Sequence, residues 1–208
     1  NPYNYPGTGG LQLPGRYLFD DKAKMPVITY SQLQFVKAEA ALRSGDRATA
    51  RQAYINGISS HIDFVNARNS DNSQAATQIT AAEKAAFLAD PDIVPAAGAL
   101  GLMHIMVQKY IAQWMWGHNE LWMDMRRYWY TSIDPTTGLQ VYPGFTPPTN
   151  LYPDNGGKLV YRIRPRYNSE YVWNREGLDA IGGLALDYHT KPLWTICPTT
   201  DPTASCEQ

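Results

Sequence analysis

The sequence predicts a mainly α fold, an α-α superhelix of tetratricopeptide-like helix pairs with long irregular loops. Apolar side chains recur at helical spacing in two successive helix-turn-helix segments within residues 29–130. Capping-box spacings stand at the start of two of these helices. The 15 proline and 16 glycine residues indicate that a good share of the chain is irregular.

The chain organisation follows from these signals. We expect a single domain over residues 1–208, with an extended loop (1–28), helical hairpins (29–130), a loop region (131–167), and a short helix and tail (168–208). The 208 residues suffice for one core, and 44% hydrophobic with 18% charged residues is a globular composition. The net charge of -1 gives no electrostatic case for nucleic acid or an anionic membrane. No apolar run approaches the roughly 20 residues that span a bilayer.

The first helix pair begins at Thr29, which has Gln32 three residues on, the spacing of a capping box. We predict that Gly45 ends the first helix in a left-handed cap and that Asp46 caps the second. The predicted apolar positions of the first helix are Leu33, Val36 and Ala40.

Small residues across this pair have the spacing of a tetratricopeptide repeat. We predict that Tyr54 fills the space that they leave between two antiparallel helices. The positions concerned are Ala38, Gly45, Asp46, Ala50, Tyr54 and Gly57.

The second hairpin contains the longest predicted helix. Thr80 and Glu83 form a second capping box ahead of a short helix. A helix is then predicted over 97–116, broken by Gly117, with a further helix over 118–129. The predicted buried stripe of the long helix is Leu100, Met103, Val107, Tyr110, Ile111 and Trp114. Beyond the hairpin, residues 158–163 are expected to form a short strand, and 169–182 a short helix.

Two carboxylates, Glu120 and Asp124, are four residues apart and therefore share one helix face. Such a pair suggests a glycoside hydrolase. However, the adjacent Arg126 and Arg127 favour ionisation of both acids, so we predict an ion network and no enzyme activity. The four histidines show no metal-ligand spacing, and no cofactor is expected, although calcium binding by loop oxygens stays possible.

Aromatic side chains cluster around the proline- and glycine-rich loop that follows residue 128. Aromatic rings stack on the apolar faces of sugars, and amide and carboxylate groups bind sugar hydroxyls. These residue types predict a glycan-binding surface. The candidate ligand-binding residues are Trp129, Tyr130, Tyr142, Phe145, Tyr152, Asn150 and Asp154.

The two cysteines, Cys197 and Cys206, lie close together near the C-terminus. A disulfide and two free thiols are both compatible with the sequence.

Several segments in this order resemble the C-terminal portion of the SusD/RagB family. They are 29–33, 37–40, 108–112, 120–127, 164–170, Asn174 and 192–194, so the similarity runs over about residues 26–194, most of the chain. Members of that family are outer-membrane nutrient-binding lipoproteins of Bacteroidota.

The resemblance implies non-catalytic capture of a nutrient, above all a glycan, at the cell surface. Uptake would then follow through a partner, a TonB-dependent SusC-like transporter. The alternatives are a protein-interaction scaffold of the same complex or a glycoside hydrolase using Glu120 and Asp124. The resemblance also implies that the chain is part of a longer protein whose lipid anchor supplies the membrane attachment. The matching residues imply a scaffold role for Trp122, Asp124, Arg126, Arg127, Arg166, Glu170 and Asn174.

Overall fold

Six α-helices form the described part of the computed structural model, which covers residues 25–69, 78–163, 167–193 and 196. They are α1 (Tyr30–Arg43), α2 (Arg47–Asn69), α3 (Ala81–Ala89), α4 (Leu102–Gln113), α5 (His118–Arg127) and α6 (Arg175–Ala180). Two 3₁₀ turns, Pro153–Asn155 and Tyr188–Thr190, and a π-helical turn, Tyr167–Tyr171, accompany them. The predicted mainly α class is confirmed. Arg166, Cys197, Cys206 and most of the predicted N-terminal loop lie outside the described residues.

The chain divides into two compact units. The first contains the described residues up to Leu121 together with Ile133–Val141. The second contains Trp122–Ser132 and the described residues from Tyr142 onward. Our expectation of a single domain stays a prediction, and the two units are described separately.

The first unit is built on the α1–α2 pair, which has the predicted tetratricopeptide-like packing. The Phe35 and Tyr54 rings meet edge to face with centroids 6.2 Å apart, and both side chains are buried. Gly57 leaves room for Phe35, because a Cβ there would lie 2.8 Å from the ring. The turn between the helices is also as predicted, since Gly45 has φ 86° and Thr49 N–H donates to Asp46 Oδ1 at 3.0 Å.

The buried face of α1 differs from the prediction. Leu33 and Val36 are 51% and 46% exposed, and Ala40 is exposed as well. The opposite face, with Phe35 and Ala38, is buried instead. Apolar residues occur on both faces of α1, so their periodicity did not identify the packed one. Small Ala38 allows the close approach of helices that tetratricopeptide-like packing requires.

The fourth helix is shorter than predicted and its apolar stripe is partly outside the core. α4 ends at Gln113, because the backbone is extended at Trp114 (ψ 129°) and left-handed at Met115 (φ 74°). Tyr110, Ile111 and Trp114 are 41%, 49% and 52% exposed. Apolar side chains are present almost all round α4, so packing rather than periodicity selects its buried face. That face consists of Ile105, Met106, Lys109, Ala112 and Gln113.

Asp134 supplies the N-terminal cap that the sequence of α4 lacks. The N-cap residue, Gly101, has no side chain, and Met103 N–H donates instead to Asp134 Oδ2 at 3.1 Å. The fully buried Asp134 also accepts from Thr136 N–H and Thr137 Oγ1, each at 3.0 Å. A Cβ at Gly101 would lie 2.1 Å from Asp134 Oδ2, so this contact requires glycine.

In the second unit, residues 158–163 are not a strand, which corrects the prediction. The Tyr161 and Arg162 N–H groups both donate to the His189 carbonyl, at 2.9 and 3.2 Å, and no ladder forms in the described residues. The segment is irregular, with a bend at Arg162, and is hydrogen-bonded to the Tyr188–Thr190 turn. The short helix predicted over 169–182 is present as α6, over fewer residues.

Candidate functional site

The turn that follows α5 holds two aromatic residues in a left-handed backbone conformation. Trp129 N–H donates to the Arg126 carbonyl at 2.9 Å, and Tyr130 N–H donates to the Met125 carbonyl at 2.8 Å. This is the hydrogen-bond pattern of a Schellman motif, in which glycine is the usual residue at the position that Trp129 occupies. Trp129 and Tyr130 have φ of 48° and 63°. Each such conformation costs a non-glycine residue roughly 1 kcal/mol.

Tyr130 fixes this turn from the inside of the second unit. Its ring stacks on Phe145 with centroids 5.5 Å apart. Its hydroxyl accepts from Trp122 Nε1 at 3.0 Å and donates to the Val160 carbonyl. Burial raises the pKa of Tyr130, so the phenol stays protonated and a donor at neutral pH. These contacts offset the backbone strain and set the direction of the neighbouring Trp129.

A cavity of about 720 Å³ lies beside this turn, within the second unit. Its volume falls in the range of small-molecule sites, roughly 300–1,000 Å³. Trp129 and Tyr161 form its aromatic wall, with ring centroids 5.0 Å apart and an interplanar angle of 61°. The remaining lining residues are Thr131, Pro147, Pro148, Leu151, Gly157, Lys158, Leu159, Asp187, Thr190, Lys191 and Pro192.

Several polar groups of the cavity have no hydrogen-bonding or ionic partner within the described residues. They belong to the lining residues Tyr161, Lys158, Lys191 and Asp187, and Lys191 Nζ lies next to Gly182, 3.5 Å from where a Cβ there would be. Burial raises the pKa of Tyr161, which therefore presents a neutral phenol. The cavity thus combines an aromatic wall with donors and an acceptor that a ligand can use.

Two arginines that are not lining residues donate hydrogen bonds to backbone carbonyls of residues that line the cavity. Arg126 donates to the Tyr161 carbonyl at 2.6 Å, and its guanidinium lies 3.7 Å from the Trp122 ring centroid. Arg162 donates to the Lys191 carbonyl at 2.7 Å and to the Pro192 carbonyl. Burial lowers the pKa of Arg126 from its ordinary value, which is high enough that the side chain remains charged.

A third contact ties the two turns of this unit together. His189 Nε2 lies 2.6 Å from Oδ1 of the buried Asn155. Asn155 belongs to the Pro153–Asn155 turn and His189 to the Tyr188–Thr190 turn. The contact therefore fixes the segments that carry Lys158 and Lys191 to each other.

The candidate residues predicted from the sequence occupy different environments. Trp129 lines the cavity, whereas Tyr130 and Tyr142 are buried and do not line it, and Tyr142 packs against Tyr128 with centroids 6.3 Å apart. Phe145 is half-buried under Tyr130. The exposed side chains are those of Tyr152, Asn150 and Asp154.

Sequence reasoning missed most of the lining. Tyr161 and Lys158 were assigned to a strand, and residues 187–191 carried no signal. The one available indication of a binding site was an aromatic residue, Tyr161, near a lysine, Lys158, in a loop. This indication is weak when the fold is not known. The lining of this cavity is brought together from separate segments of the chain, which no local motif records.

The carboxylate pair considered for hydrolysis is not arranged as one. Asp124 is buried and bridged to Arg127 at 2.5 Å. Glu120 is exposed and has no ionic partner in the described residues. Neither residue lines the cavity. Asn174 donates to Glu170 at 2.9 Å, as in a scaffold contact. No group of three or more metal-ligating side chains occurs among the residues that the structure describes.

A known family accounts for much of this chain. A SusD-like family model, described as starch-binding and associating with the outer membrane, matches residues 10–153, more than half of the sequence. The match includes Trp129 and the loop to Leu151 but not the lining residues from Gly157 onward. No significant similarity was found to a curated protein or to a solved structure. None of the described helices has both the length and the apolar character needed to cross a bilayer. The chain belongs to the SusD-like family, whose members bind carbohydrate at the outer membrane.

Proposed function

We propose that this chain binds an oligosaccharide, without cleaving it, in the cavity beside Trp129. The observation that carries the proposal is the position of Trp129. A strained backbone conformation, favoured by glycine, holds a large aromatic side chain at the wall of a cavity of ligand size.

The lining offers both kinds of contact that a sugar makes. The apolar face of a pyranose ring stacks on Trp129, with Tyr161 and the two prolines beside it. Sugar hydroxyls donate to the Asp187 carboxylate and accept from the Tyr161 hydroxyl and the lysines. Aromatic and polar groups therefore act on different faces of the same ligand.

A binding role without hydrolysis is supported by the count of carboxylates. Most glycoside hydrolases place two carboxyl groups about 5–9.5 Å apart across the scissile bond. Asp187 is the single carboxylate among the described lining residues. Glu120 and Asp124, the pair considered from the sequence, do not line the cavity, and Asp124 is bridged to Arg127.

We propose further that the ligand passes to a TonB-dependent SusC-like transporter, with the binding protein exposed at the cell surface as a lipoprotein. The family's association with the outer membrane supports this location. Calcium is not required by the proposal, since the ligand contacts come from side chains of the cavity.

A scaffold role is a second candidate, favoured by one observation. Tyr110 and Ile111, in the last turn of α4, and Trp114, just after it, expose two-fifths to half of their surface. Exposed aromatic and aliphatic groups of this size are typical of protein contacts. Capture of the transporter by a chain that binds no sugar in solution would favour this candidate.

Isothermal titration calorimetry against neutral and acidic oligosaccharides tests the binding proposal. We expect Trp129→Ala to weaken the affinity about tenfold, because the stacking surface is lost. Trp173→Ala is the matched control, since Trp173 is 84% exposed and does not line the cavity. Equal losses for both variants, or no binding to any sugar of a broad panel, would refute the proposed site.

A further inference from the structure

We propose that the ligand of this cavity is an acidic oligosaccharide, with uronic acid residues whose carboxylates bind between Lys158 and Lys191. The inference rests on the proposed function and names the chemical class of its ligand. Its basis is the distribution of charge around the cavity.

The two lysines are the first part of the argument. Both line the cavity, and neither has a carboxylate partner within the described residues. Lys84, in contrast, is bridged to Asp63 at 2.7 Å. An ammonium group without a partner at a ligand site is ready to bind an anion without first giving up an existing contact.

The second part is the charge behind the walls. Arg126 and Arg162 bind backbone carbonyls of Tyr161, Lys191 and Pro192 and form no ion pair within the described residues. Carbonyl dipoles satisfy the donors of a guanidinium but leave its full charge. Four cationic side chains are therefore at or directly behind the lining, against the one carboxylate of Asp187.

This asymmetry is local. Acidic and basic residues are equally numerous in the described part of the second unit. Asp124 is bridged to Arg127, Glu170 accepts from Asn174, and Asp154, Glu176 and Asp179 are exposed; none of these five residues lines the cavity. A cleft lined with charge of one sign concentrates ligands of the opposite sign, even when the surrounding protein is neutral.

The nature of the anion follows from the same lining. Asp187 repels a doubly charged phosphate about twice as strongly as a singly charged carboxylate, so a carboxylate suits this lining better and leaves Asp187 to accept sugar hydroxyls. The aromatic wall of Trp129 and Tyr161 requires a ring with an apolar face. A uronic acid unites the ring and the single negative charge in one residue.

Calorimetric titration with acidic oligosaccharides and their carboxyl-reduced forms tests the inference. The probes are tetragalacturonate and a glucuronate-bearing xylo-oligosaccharide at pH 7, because reduction removes the charge and leaves the sugar chain. We expect at least one acidic form to bind about tenfold more tightly than its reduced form, with an affinity that falls as salt increases.

The variants assign the effect to the cavity. Lys158→Gln and Lys191→Gln should each weaken the acidic ligand several-fold and the reduced ligand clearly less, because glutamine keeps a donor for sugar hydroxyls but carries no charge. Lys37→Gln, an exposed lysine on α1, is the matched control and should have no effect.

The outcomes separate the two proposals. Equal or tighter binding of the reduced forms, or of a neutral or sulfated oligosaccharide alone, would overturn the acidic class and leave carbohydrate binding in place. Unchanged affinities in both cavity lysine variants would overturn the assignment to Lys158 and Lys191. No binding by any acidic, reduced or neutral sugar would overturn the proposed function together with this inference.

Discussion

Replacing Trp129 by glycine and by alanine separates the strain of its backbone from the packing of its ring. Trp129 has φ 48° at the C-terminal position of α5 where a Schellman motif favours glycine. Both substitutions remove the indole and its contact with Tyr161. Glycine alone also relieves the left-handed conformation, because alanine retains a Cβ.

The expected magnitudes follow from the two contributions. A fully buried tryptophan costs about 3–5 kcal/mol when truncated to alanine, and Trp129 is half-buried, so Trp129→Ala should cost about 2 kcal/mol. Relief of the left-handed conformation returns about 1 kcal/mol. Trp129→Gly should therefore cost about 1 kcal/mol and be the more stable variant.

Urea denaturation followed by circular dichroism measures these differences, and the thermal midpoints should differ by about 2–4 °C. Ala86→Gly in the exposed part of α3 is the control, because the same exchange of alanine for glycine should there destabilise by about 1 kcal/mol. If the Trp129→Ala variant proved as stable as Trp129→Gly, the backbone at this turn would not be strained. The support that this strain gives to the proposed binding site would then be lost.

Three further predictions concern stability. Asp134→Ala should destabilise the fold by about 3 kcal/mol in thermal or urea denaturation, because three donors lose a buried acceptor. The exposed Asp179→Ala is the control and should change stability by less than about 0.5 kcal/mol; an equally small change for Asp134→Ala would contradict the cap. Gly57→Ala should cost about 1–3 kcal/mol because the new Cβ meets the Phe35 ring, whereas Gly98→Ala, with open space around it, should be nearly neutral; equal effects would argue against close helix packing. Burial lowers the pKa of His61 and of His104, so the unfolded chain binds protons more readily than the folded one and stability should fall as the pH drops below about 6.5. Urea midpoints at pH 5.5 and 7.5 measure this fall. His61→Gln should reduce the difference between the two midpoints.

Local signals predicted the first helix pair well. Both N-caps form where their spacing indicated, with Gln32 N–H donating to Thr29 Oγ1 at 3.1 Å and Glu83 N–H to Thr80 Oγ1 at 3.2 Å. The reciprocal contact of a full capping box, from the N-cap N–H to the side chain three residues on, is present at only one of the two, Thr80 with Glu83. These contacts involve residues three apart, so the sequence contains all the information that they need. Tyr54 and Gly57 were predictable for a similar reason, because one turn fixes how the paired helices meet.

The buried faces of α1 and α4 were not predictable in this way. Both helices carry apolar residues on more than one side, so a helical period is present without indicating the core. Packing against neighbouring helices selected Phe35 and Ala38 on α1 and left Leu33 exposed. The N-terminal cap of α4 was not predictable either. Asp134 accepts a hydrogen bond from the Met103 amide, which is 31 residues away in the sequence.

The sequence by itself determined the helical class, the caps of α1, α2 and α3, and the family. It also pointed to the aromatic segment in which Trp129 lies. Only the tertiary structure decided which residues form the cavity, because Trp129, Tyr161 and Lys191 come from segments that no short-range pattern connects. Hydrogen bonds between residues three or four apart can be predicted from the residue types at those positions. The position of one loop against another depends instead on the packing of the whole unit.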